Sequence, residues 1–104
     1  MWAQLITAQL QPGKDPDLAA LIALQEAAEL PGSGLVRSVV MRDQNDPSRL
    51  LFLVVFENEE MARAREKSPE RLEAVKPIRA LMSQMFAGPS EFVDLTVVSE
   101  WAGT

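Results

Sequence analysis

The chain contains no cysteine, no histidine and no tyrosine. Their absence removes disulfides, thiolate chemistry, every histidine-centred triad and any Cys/His metal site. Carboxylates are then the one metal-ligating class left, and they show no calcium-loop spacing, so no metal is expected. Basic residues are also few: ten Lys and Arg stand against fifteen Asp and Glu, giving a formal net charge of -5. The densest basic stretch, Arg63, Arg65 and Lys67, is interrupted by Glu66. No positive field suited to phosphate is present, and no nucleic acid partner is expected. Long apolar runs are missing too. Nothing approaches the ~20 residues that span a bilayer, and the first residues read as a strand rather than a secretion signal. No membrane partner is expected, and the cytoplasm is the expected location.

What remains is ample for one domain over residues 1–104. Hydrophobic residues make up 47% of the chain, and a chain of this size buries roughly 60–70% of its extended surface on folding. Seven apolar residues in a row, Leu50-Leu51-Phe52-Leu53-Val54-Val55-Phe56, end abruptly at Glu57-Asn58-Glu59-Glu60. The run is apolar at both parities, short, and rich in β-branched and aromatic side chains. It predicts a central strand with both faces covered.

Residues 2–10 mix Trp2, Leu5, Ile6, Ala8 and Leu10 with Gln4, Thr7 and Gln9, a first strand that stops at Gln11-Pro12-Gly13-Lys14. Asp15-Pro16-Asp17 opens a helix, with Asp15 as cap, on which Leu18, Leu21, Ile22, Gln25 and Glu29 advance at helical spacing until Pro31-Gly32-Ser33-Gly34. A valine-rich strand over 35–42 leads through the turn residues Asp43 to Ser48 into the central strand, forming an antiparallel hairpin. Asn58 caps a helix carrying a Glu59/Arg63 pair, and Ser68-Pro69-Glu70 starts another segment. Pro77 breaks the region 69–86 into two pieces or kinks it. The last strand is expected over 92–101, from Phe92 to Trp101.

The order strand, helix, strand, strand, helix, strand predicts an α+β ferredoxin-like unit: a four-stranded antiparallel sheet, strands one and three central, helices on one face. The third strand is also the all-apolar one, which agrees with that placement. Helices covering one face leave the other with Leu51, Leu53, Val55, Val93, Leu95 and Val97 or their opposite-parity neighbours. An apolar surface of that size predicts a homodimer, sheet against sheet.

The whole chain resembles the antibiotic biosynthesis monooxygenase family, within the dimeric α/β barrel superfamily. The resemblance rests on Gln11-Pro12-Gly13-Lys14, Leu30-Pro31-Gly32, Arg42-Asp43-Gln44-Asn45-Asp46-Pro47 and Phe56-Glu57-Asn58-Glu59-Glu60-Met61-Ala62 leading to Lys67-Ser68-Pro69. It implies a homodimer whose sheets form a central barrel, with a small pocket between sheet and helices in each subunit. Some members of this family oxidise polyketide-like aromatics or quinols with molecular oxygen and no cofactor; others break down haem. The haem branch uses a histidine as iron ligand, and this chain has none, so no cofactor is expected. Arg65 stands where relatives often place histidine or tryptophan before the Ser-Pro step.

Cofactor-free oxygenation needs an apolar cavity, polar groups that orient an electron-rich aromatic, and a group that favours its deprotonated form. Arg65 can supply a fixed cation, or be one more solvated charge on its helix. Gln4 and Thr7 bring polar atoms to a central strand, where they pair with a ligand or with neighbours. Phe56, Met61, Met82 and Phe86 offer adaptable apolar surface to a ligand or pack the core. These seven residues are the candidate substrate-binding set, and no catalytic residue is assigned. Two functions remain open: an oxygenase-like protein binding a small apolar or aromatic molecule, and a non-catalytic ligand-binding or dimeric assembly module of the same fold.

Overall fold

The structure, a computed structural model, describes residues 1–103. Eight elements follow one another: β1 (Trp2–Gln9), α1 (Asp15–Ala27), β2 (Leu35–Arg42), β3 (Arg49–Phe56), α2 (Glu59–Lys67), α3 (Pro69–Ala74), α4 (Lys76–Met85) and β4 (Glu91–Thr96). The strands form one antiparallel sheet in the order β2-β3-β1-β4, with β1 and β3 in the middle. This is the expected ferredoxin-like α+β arrangement.

Local chemistry accounts for most boundaries. The Asn58 side chain accepts a hydrogen bond from the Met61 N–H at 2.8 Å, and Ser68 accepts one from Arg71 N–H at 3.4 Å. In the hairpin, Asp43 Oδ1 accepts from the backbone of Asn45 at 2.8 Å and of Asp46 at 3.3 Å, closing the turn between β2 and β3. Pro77 follows a real interruption at Val75, and the region becomes the separate helices α3 and α4. Gly34, with φ of +85°, admits Met61 so closely that a Cβ there would lie 2.8 Å from the methionine Cβ. That approach seats the start of α2 against the start of β2.

Three boundaries differ from expectation. Asp15 is inside α1 rather than capping it; Lys14 holds the cap position and makes no side-chain cap bond. The helix ends at Ala27, so Glu29 lies just past it. The last strand stops at Thr96, not 101, because Thr96 pairs with Trp2 and β1 then runs out of partners. One further backbone bond, Val97 N–H to the Met1 carbonyl at 3.2 Å, ends the pairing. Beyond it the chain carries Glu100 to Arg37 on the opposite edge strand, 3.4 Å away, and leaves Val98 94% and Trp101 83% exposed.

Alternation along the strands sorts side chains onto two faces. Trp2, Gln4, Ile6 and Ala8 of β1 share a face with Phe56, Val54, Phe52 and Leu50 of β3, their register partners. The helices cover this face. Its buried residues fall into two clusters: a larger one around Leu21, Leu50, Phe52, Ile78, Met85 and Phe86, and a smaller one of Trp2, Phe56 and Ala62. Ala3, Leu5 and Thr7 point the other way with Val55, Leu53 and Leu51.

Candidate functional site

The gap between the two clusters follows from three consecutive rows of paired residues. One row crosses the sheet through Trp2, Phe56 and Leu35; the second through Gln4, Val54 and Ser38; the third through Ile6, Phe52 and Val40. The outer two are bulky. In the middle row Val54 and Ser38 are short, and Gln4 is drawn sideways, its Nε2 donating to Asp94 Oδ1 on β4 at 3.0 Å. A row of low relief between two high ones leaves space that the helices do not fill.

That space is a cavity of about 610 Å³. Its floor is the three rows. One wall is the stripe Ile22, Gln25, Glu26 and Glu29, spaced three and four residues apart along α1 and its continuation; another is Ala62, Arg65 and Glu66 of α2, with Arg71 and Met82 closing it. The size and mostly apolar lining fall within the range of small-molecule sites, roughly 300–1,000 Å³. A second cavity of about 290 Å³ lies beside it, between Leu30-Pro31-Gly32-Ser33 and Met61, Ala64 and Arg65 of α2, Ser68 at the junction, and Glu70 and Arg71 of α3.

The polar end of the site is a small ionic cluster. Arg65 Nη2 donates to Glu29 Oε2 at 2.7 Å, with Arg65 about one-sixth exposed at 17%. The Ser33 hydroxyl donates to the other carboxylate oxygen. Burial alone raises the Glu29 pKa, but these two hydrogen bonds, with the Arg65 and Arg71 charges, bring it below its usual value. The Arg65 guanidinium carbon also sits 5.3 Å from the Phe56 ring centroid, and Arg63 lies 4.9 Å from that of Trp2. Arg63 further spans to Asp94 at 2.8 Å and Glu59 at 3.3 Å, tying α2 to the sheet edge.

Of the residues singled out in the sequence, Gln4, Phe56, Arg65 and Met82 line the larger cavity, and Met61 with Arg65 lines the smaller. Thr7 and Phe86 border neither. Thr7 has odd parity in β1, so it faces away from the helices, paired with Leu51 and Glu91. Phe86 is buried in the larger cluster, its ring edge-on to Phe52 with centroids 6.2 Å apart. Sequence reasoning passed over Trp2, Ser38, Phe52, Val54, Glu29 and Arg71. For Glu29 a signal existed, since it continues the α1 stripe through Ile22 and Gln25. Arg71 carried none, because its place depends on where the break at Val75 sets α3.

A model of the antibiotic biosynthesis monooxygenase family matches residues 1–77. No curated protein sequence matches the chain significantly. Among solved structures, a putative antibiotic biosynthesis monooxygenase from Nitrosomonas europaea is 16% identical, with 95% of this chain and 100% of that one covered and a TM-score of 0.74. A variant of SnoaB, a cofactor-independent oxygenase from Streptomyces nogalater, is 15% identical over 95% and 94% of the two chains, with a TM-score of 0.72. A variant of MhuD bound to two manganese protoporphyrin IX molecules per active site is 17% identical over 99% and 100%, with a TM-score of 0.80. At these identities the structures establish the shared fold, and the sequence match establishes the lineage. This chain belongs to the antibiotic biosynthesis monooxygenase family.

Proposed function

We propose that the larger cavity binds a small aromatic or otherwise largely apolar molecule, of polyketide or quinol type, and that the protein oxidises it with dioxygen without metal or flavin. The observation that carries this reading is the cavity itself. A sheet-helix layer serving only to pack an assembly module gains from closing a gap of about 610 Å³, since empty apolar volume is costly. The fold shared with the cofactor-independent oxygenase SnoaB supports the same reading.

The bases that line the cavity are carboxylates, which are weak bases, and Glu26 and Glu66 among them are exposed, Glu66 being paired with Arg63. Glu29 is held below the ordinary carboxylate range by its Arg65 and Ser33 bonds, and histidine is missing from the chain. The substrate must then be acidic in its own right, a phenol or an anthrone-like methylene, with the cationic end of the site favouring its ionised form. The electrons for oxygen come from the substrate: a ring methylene becomes a carbonyl, one oxygen atom enters the product and the other leaves as water. No external reductant is required. The test is a thermal-shift screen against phenols, anthrones, quinones and haem, with oxygen uptake followed for each hit. Stabilisation by an anthrone with oxygen consumption supports an oxygenase. Stabilisation without consumption leaves the non-catalytic ligand-binding module as the function.

The same reading includes a homodimer joined through the outer sheet face, within the cytoplasm. Leu5, Leu51, Leu53, Val39, Met41, Val93 and Leu95 lie on that face, with Val93 50% exposed. At ~25 cal/mol per Å² of apolar area, covering several hundred Å² outweighs much of the cost of association. Light scattering over a range of protein concentrations tests it, and a monomer mass throughout overturns it.

A further inference from the structure

Among the described residues, only Arg65 and Arg71 border both cavities. Their surroundings differ. Arg65 is the more engaged: Nη2 is committed to Glu29, the guanidinium lies against the Phe56 ring and Nε is buried with no hydrogen-bond partner, which leaves Nη1 as its one nitrogen that is neither paired nor sealed. Arg71 donates from Nη1 to the Ala28 carbonyl at 3.2 Å and makes no ion pair with any carboxylate of the described residues. Its remaining N–H groups are unpartnered yet not sealed. Burial, followed by the nearby Arg65 charge, lowers its pKa from the ordinary arginine value. A guanidinium remains charged at neutral pH even so.

Charge counting around Arg71 favours an anion. Glu29 already accepts from Arg65 and Ser33, so Arg65, Glu29 and Arg71 together leave one net positive charge. The other acids bordering the cavities, Glu26, Glu66 and Glu70, are exposed, and Glu66 is paired with Arg63 at 3.3 Å. A half-buried guanidinium at the edge of an apolar chamber is matched by a planar oxyanion, which can accept two N–H bonds from it.

We infer that the ligand is an aromatic molecule carrying an acidic oxygen, a carboxylate or an ionised phenol, and that Arg71, not Arg65, receives that oxygen. This rests on the larger cavity being the ligand site. Arg65 acts behind Arg71: clamped by Glu29, it contributes field and shape, while Arg71 reads the ligand.

The experiment is calorimetric binding of two probes of the same ring and outline, 2-naphthoate and 2-naphthamide, to the full chain. The acid is expected to bind about tenfold or more tighter than the amide, the size of a charge-assisted hydrogen bond. R71Q should remove most of that preference, weakening naphthoate far more than naphthamide, whose remaining binding reports an intact cavity. R71K, which keeps charge but loses the planar fork, should retain part of the preference and covers the case in which R71Q fails to fold. Comparison with 2,4-dinitro-1-naphthol, ionised at neutral pH, distinguishes a phenolate from a carboxylate as the better fit. Equal binding of acid and amide by the unaltered protein overturns the inference and leaves the cavity reading standing. A preference that survives R71Q and disappears in R65Q assigns the role to Arg65 and also overturns it. Binding of none of the probes removes the cavity reading and this inference together.

Discussion

The two faces of the sheet are built from the same four strands, yet they present opposite kinds of surface. On the helix side, bulky rows through Phe56 and Phe52 flank a low row through Val54 and Ser38, and the result is a chamber with an ionic end. On the other side Leu5, Leu51, Leu53, Val39 and Val93 form an apolar patch of similar height, with the polar Thr7 and Glu91 at one end of the face and Arg37 at the other. Relief, more than hydrophobicity, separates a surface that can enclose a molecule from one that suits a flat protein partner. Both are apolar. The difference comes from which residue sizes alternate along the strand.

The comparison breaks hardest at the packed end of the helix side. Leu50 is fully buried there at 0% exposure and lies outside the cavity lining. Leu50→Ala is expected to cost about 2–5 kcal/mol, read by urea denaturation, through lost burial and the void left behind. Leu53→Glu on the outer face is expected to act on association: a charge at the centre of a sheet-to-sheet interface is left desolvated, and the mass in light scattering falls to that of a monomer. Probe affinity in the helix-side chamber should remain within twofold of the unaltered protein. A Leu53→Glu protein that keeps a dimer mass would show that this face is not the interface.

The architecture was largely readable beforehand because it depends on local signals. The all-apolar run at 50–56, the turn residues 43–48, and Pro77 each act within a few residues, and strand order followed from element order. The cavity was only half readable. Residue type and strand or helix position point to Gln4, Phe56, Arg65 and Met82, which line the cavity, but the low row that leaves the cavity open appears only when Val54 and Ser38 are brought into register with Gln4. Residue type alone groups Thr7 with Gln4, whereas three residues along a strand reverse the face. The end of β4 depended on where β1 lacks further residues to pair with, a fact about the partner strand rather than about residues 97–101.

A smaller effect is expected from pH through Glu29 at the ionic end of the chamber. Because the folded-state pKa of Glu29 lies below its ordinary value of 4.5, its ion pair contributes stability that is fully present above that value. The contribution is lost as pH falls through the lowered folded-state value. Glu29→Gln removes it at every pH. Thermal midpoints of the two proteins should therefore differ at neutral pH and converge on acidification, and a constant gap would show that the Arg65 pairing does not set the Glu29 titration.

The smallest effect is expected where the two faces are easiest to confuse. Gln4 and Thr7 are both polar, both on β1, and opposite in parity. Gln4→Leu removes the side chain that leans toward Asp94 and is expected to fill part of the chamber, lowering naphthamide affinity several-fold. Thr7→Val keeps shape, replaces a hydroxyl on the outer face, and should change stability by no more than about 0.5 kcal/mol. Its naphthamide affinity should be unchanged. Equal losses from the two substitutions would mean that the chamber is sensed through the sheet, and that the separation of its faces into a ligand side and a partner side does not hold.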